Sequence, residues 1–85
     1  GDFEAQVHET FAYLSRTLAS MGGKLEDMVT MTVFILDVRH SRTFTELRKR
    51  HFPSGRYPGS ALITAAGFAD PAMMVEIQGI AVVLE

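Results

Sequence analysis

From Ile77 to Leu84 the chain reads as a strand with bulky apolar side chains on both faces, namely Ile77, Ile80, Val82, Val83 and Leu84. Helices can bury one face of such a strand, but the other needs a cover of its own. The chain is only 85 residues long. Divided into two domains, each half would be too small to bury a sufficient core, so residues 1–85 are expected to form a single domain. The second face is then covered by another subunit, by sheet that this chain does not carry, or by both.

The segments before that strand supply the first cover. Phe3, Val7, Phe11, Leu14, Leu18 and Met21 recur at steps of three and four, which is one stripe of an amphipathic helix. Asp2 is placed to cap it, and Gly22-Gly23 supplies a left-handed stop. Val29–Asp37 follows as a strand that begins half-exposed, with Thr30 and Thr32 alternating with apolar residues, and ends apolar on both faces at Phe34-Ile35-Leu36. Thr43-Phe44-Thr45-Glu46 has the spacing of a capping box and predicts a second helix starting there, with Phe44, Leu47 and Phe52 inward and Pro53 ending it. Ser54–Gly59 is dense in turn formers. Ser60–Ala66 and Ala72–Leu84 read as two strands forming a hairpin. The order helix, strand, helix, strand, strand implies an α+β domain with its helices on one face of a small sheet.

Composition removes several kinds of chemistry. There is no cysteine, hence no disulfide, thiolate catalysis or Cys-ligated metal, and no asparagine. Gly1-Asp2-Phe3-Glu4 lacks the apolar core of a signal peptide, and no apolar run is long enough to span a bilayer, so no membrane partner is expected. A reducing cytoplasm suits such a chain. The formal net charge of −2 hides a basic segment, in which Arg39, Arg42, Arg48, Lys49, Arg50 and Arg56 face Glu46 alone. An anionic partner or a solvated helix face both fit it. His8, His40 and His51 share no metal-ligand spacing and read as surface or boundary residues. Phosphate-loop and dinucleotide fingerprints are absent, and Ser60 lacks the second glycine of a nucleophile elbow.

Glu76 is the residue that patterning singles out. It sits inside Met73-Met74-Val75-Glu76-Ile77, a carboxylate among apolar neighbours, either on a solvated sheet face or in a cleft that tunes its protonation. Gln78 lies on the same face. Arg56, in the loop before the last two strands, has the fork to hold a carboxylate.

The order of these pieces resembles the Rid family, also called YjgF or endoribonuclease L-PSP. Gly1-Asp2-Phe3-Glu4-Ala5-Gln6, with Leu14, Leu18 and Gly22-Gly23, is similar to the family's first helix and stop. Met28–Asp37 is similar to its central strand ending in aspartate. His51-Phe52, Tyr57-Pro58 and Val75-Glu76-Ile77-Gln78-Gly79-Ile80-Ala81 follow in the family's order and spacing.

The resemblance implies a chorismate-mutase-like fold, a mixed sheet with two helices on one face, in which ordinary members carry further strands before the first helix. It implies a homotrimer with ligand clefts between subunits, and hydrolysis of reactive enamines or imines to keto acids and ammonia, with no metal or organic cofactor. Glu76 occupies the position that orients the attacking water. Ser60 stands where the family has a substrate-binding arginine, Thr45 where many members have a cleft asparagine, and Arg56 lies four residues before Ser60. Serine offers neither the charge nor the fork of arginine, so two alternatives stay open. One is a non-catalytic trimeric metabolite-binding protein. The other is contact with RNA through Arg39–Arg56, against which stand the absence of interleaved aromatics and the negative total charge.

Overall fold

The computed structural model describes residues 2–84. Helix α1 spans Phe3–Ala19, and the Asp2 side chain caps it by accepting the Ala5 N–H at 3.1 Å. Gly22 ends it in the left-handed region at φ +80°, where a side chain would be strained, and the Gly23 N–H closes back on the Leu18 carbonyl at 2.8 Å. After a single turn at Leu25–Asp27 the chain enters β1, Met28–Ile35. It winds again at Val38–His40 into α2, Ser41–Leu47, which tightens into a 3₁₀ turn over Arg48–His51. Strands β2, Gly59–Thr64, and β3, Val75–Ala81, complete the fold.

The second helix starts two residues before Thr43, and the capping box with Glu46 does not form. Asp37 starts the winding earlier. Its side chain accepts the Arg39 N–H at 2.9 Å and the Arg39 guanidinium at 2.7 Å, which holds the Asp37 carboxyl down to about 2. Glu46 pairs instead with Lys49, one turn ahead.

The last two strands are not a hairpin. The sheet order is β2-β1-β3, with β1 parallel to β2 and antiparallel to β3. A parallel neighbour requires a crossover, and α2 with its flanking turns provides it between β1 and β2. The apolar β1 thereby gains a partner on each edge. β3 is also shorter than Ala72–Leu84: it ends at Ala81, with Val82 and Leu84 exposed beyond it.

Both helices cover one sheet face. Met31, Val33 and Ile35 of β1 and Val75 and Ile77 of β3 point into that layer and are buried against Val7, Phe11, Phe44, Leu47 and Phe52. Phe11 is the centre, with ring centroids 6.0 Å from Phe44 and 5.8 Å from Phe52. Gln6 fixes the connection between β2 and β3 to α1, donating to the Ala72 carbonyl at 2.9 Å and accepting the Met74 N–H at 2.8 Å.

The two helices are also pinned through a histidine pair that their spacing in sequence conceals. His8 Nδ1 and His51 Nε2 lie 2.7 Å apart, so one N–H sits between two rings. His51 stacks on Phe11 at 4.4 Å, while Arg50 reaches both Glu4 and His8 at 3.4 Å. Burial holds His51 below the ordinary histidine range, and the neighbouring His8 and Arg50 add to this. Folding therefore favours the neutral ring. Its contribution is complete above the unfolded-state value of about 6.5 and is lost as pH falls through the lower folded value. Melting temperatures measured from about pH 7.5 down to about pH 5.5 are expected to fall, and His51→Gln is expected to flatten that dependence.

Candidate active site

Strand pleat and register decide which side chains can share a site. Successive residues of a strand point to opposite faces, and directly paired residues point to the same one. Glu76 pairs with Phe34, while their neighbours Val75 and Ile35 are buried under the helices. Glu76 therefore lies on the face that the helices leave open, in a row with Phe34 and Ile63. Thr32, Gln78, Ala61 and Ile80 extend that face. Glu76 and Phe34 are half-buried. Gln78 Nε2 donates to Glu76 Oε2 at 3.5 Å, and among the described residues no cationic side chain pairs with Glu76. A carboxylate held this way keeps acceptor capacity for a water or a ligand donor.

Ser60 pairs with Met31 in the parallel register, so its side chain belongs to the helix-covered face, at the exposed start of the edge strand β2. Thr45 is half-buried on α2, and its hydroxyl donates to the Ser41 carbonyl at 3.0 Å. Arg56 is exposed; its backbone N–H donates to Ser54 Oγ at 3.3 Å, and its guanidinium has no polar partner among the described residues. The Ser54 hydroxyl in turn donates to the Glu26 carboxylate. A single chain thus separates the predicted residues into two groups. Glu76 is on the open face, and Ser60 with Thr45 is on the opposite one.

From the sequence, Arg48 reads only as part of the basic segment. Arg48 is half-buried with its guanidinium carbon 4.7 Å from the centre of the Tyr57 ring. The signal available was its position three residues after Thr45, which places both on one helix flank.

A profile of the family described as endoribonuclease L-PSP matches residues 1–83. The chain belongs to that family. Solved structures of other L-PSP and YjgF proteins share its fold. A candidate endoribonuclease of Thermotoga maritima is 25% identical at a TM-score of 0.89, with 100% of this chain and 65% of that one covered. A Streptococcus pyogenes member of the YjgF family is 28% identical at 0.83, covering 95% and 68%. A candidate translation initiation inhibitor of Vibrio vulnificus is 26% identical at 0.88, covering 96% and 66%. The L-PSP chain described here therefore spans about two thirds of the length of these proteins. Among the described residues, no helix is long and apolar enough to cross a membrane.

Proposed function

We propose that this L-PSP protein hydrolyses small reactive imines or enamines to carbonyl compounds and ammonia, at a site assembled between copies of the chain, most simply a homotrimer. The observation that carries this reading is the placement of Glu76: a half-buried carboxylate on the open sheet face, with no cation competing for it among the described residues. Ser60 and Thr45 lie on the other face, so a cleft containing all three needs a second copy. Exposed Ile80 and Ile63 on the open face, at 64% and 45%, are the apolar surface that such packing would bury.

The chemistry balances without an added reagent. Glu76 accepts a proton from water as the oxygen bonds to the imine carbon and the C=N electron pair moves to nitrogen. It returns that proton to the nitrogen to give a neutral carbinolamine; an enamine first tautomerises to the imine. Glu76 then takes the hydroxyl proton and passes it to the amine as the C–N bond breaks, giving the carbonyl compound, ammonia and the free carboxylate. Contact with RNA is less well supported by the basic segment, since Arg39, Lys49 and Arg50 are each paired with an acid.

Ile80→Asp tests the dependence on assembly. A carboxylate at this exposed position leaves the helix-covered core untouched, but would be buried unpaired in an interface formed on the open face. The variant is expected to keep its circular dichroism spectrum, to sediment as a smaller species than wild type, and to lose ammonia release from 2-iminopropanoate. Full activity as a monomer would sink the intersubunit site.

A further inference from the structure

The seam between α1 and the turn after α2 is closed by charged and titratable groups whose geometry fixes where each proton sits. Helix α1 contributes Glu4 and His8, one turn apart, and the 3₁₀ turn contributes Arg50 and His51. Among the described residues, no other titratable side chain pairs with any of the four. The remaining neighbour of His51 is apolar: its ring stacks on that of Phe11 at 4.4 Å.

Arginine is a donor at every nitrogen and keeps its charge in proteins. The Arg50 guanidinium therefore donates to His8 Nε2, 3.4 Å away, and that nitrogen holds a lone pair. The neutral His8 ring then carries its proton on Nδ1, and this N–H donates to His51 Nε2 at 2.7 Å. The proton of His51 lies in turn on its own Nδ1. One donor chain thus runs from Arg50 through His8 to His51, while Glu4 accepts from Arg50 at 3.4 Å.

This chain accommodates one added proton but not two. A proton on His8 Nε2 displaces Arg50 from that nitrogen, and the Glu4 carboxylate, 3.8 Å away, stands ready to pair with the charged ring. The bond from His8 Nδ1 to His51 survives that step. A second proton has to go to His51 Nε2, where it meets the His8 N–H across 2.7 Å, cation against cation with Arg50 alongside. Burial already disfavours the charged form of the closed His51 ring, and His8 and Arg50 add to this.

We propose that Glu4, His8, Arg50 and His51 form a proton-operated latch, which at neutral pH clamps the turn after α2 onto α1 and in acid opens between the two rings, releasing that turn before the rest of the fold. The segment released belongs to the crossover that carries the chain from β1 to its parallel neighbour β2. Buried Phe44 and Leu47 keep α2 itself in the core, so the opening is local. The latch operates whether or not the protein hydrolyses imines.

Two measurements on the wild-type protein test it. Imidazole nitrogen NMR spectra at about pH 7.5 are expected to show both His8 and His51 with the proton on Nδ1. A ring found mainly in the Nε2–H form overturns the proposal. The second measurement is amide exchange of the Phe52 N–H, which bonds the Lys49 carbonyl across the turn at 3.4 Å. Its protection is expected to lie below that of the β1 amides and, corrected for the intrinsic exchange rate, to drop by up to about 10-fold between about pH 7.5 and pH 5.5. Protection equal to that of β1 means that the turn opens only with the whole fold, and it overturns the latch, as does protection that ignores pH. His51→Gln keeps an acceptor for the His8 N–H but cannot take the second proton. This variant is expected to show the same Phe52 protection at both ends of that range, and a drop that persists in it also overturns the proposal. The wild-type measurements decide the matter even if His51→Gln does not fold.

Discussion

Glu76→Gln is expected to lower the rate constant for imine hydrolysis by about 100- to 10,000-fold, the range associated with a positioned acid–base group. Glutamine keeps the size of the side chain and its hydrogen bond with Gln78, which here is long at 3.5 Å. It removes the negative charge and the basicity that the proposed mechanism requires. The residue is half-buried and carries no ion pair among the described residues, so little stability depends on its charge. Melting temperature and sedimentation should therefore match wild type within error while turnover falls. A variant that lost turnover and assembly together would assign Glu76 to the interface instead.

Phe11→Ala is expected to destabilise the fold by about 3–5 kcal/mol. Phe11 has no solvent exposure, and its ring meets Phe44, Phe52 and His51 at once, joining α1 to both α2 and the turn that follows. Truncation leaves a cavity among three aromatic rings anchored on different elements, which cannot all collapse into it. A loss of this size is a large fraction of the stability of a chain so short. Chemical denaturation followed by circular dichroism checks it. A loss below about 1 kcal/mol would mean the helix layer repacks freely.

The first helix was legible because every local signal agreed: the apolar stripe, the Asp2 cap and the Gly22 stop all act within a few residues. The α+β class, with two helices on one sheet face, followed from the same kind of evidence. The start of α2 was misplaced because two capping signals compete there, and Asp37 wins by bonding the Arg39 N–H before the chain reaches Thr43. Strand order was hidden because a short link between two strand-like segments suggests a hairpin, and only the two-sided apolar demand of β1 explains why it sits between them. Glu76 was legible as a carboxylate in an apolar strand, and register then placed it on the open face. Arg48 and the His8–His51 pair were not, since each depends on a contact that only tertiary folding creates, across a loop for Tyr57 and between two helices for the histidines.

Hydrolysis of 2-iminopropanoate, generated in place by an amino-acid oxidase, tests the central claim most directly. Ammonia release is followed with and without the protein, at a concentration where sedimentation shows it assembled. Acceleration by wild type that disappears in Glu76→Gln is the predicted result. An assembled wild-type protein that leaves the spontaneous rate unchanged would contradict the hydrolase reading and leave a site that binds without reacting.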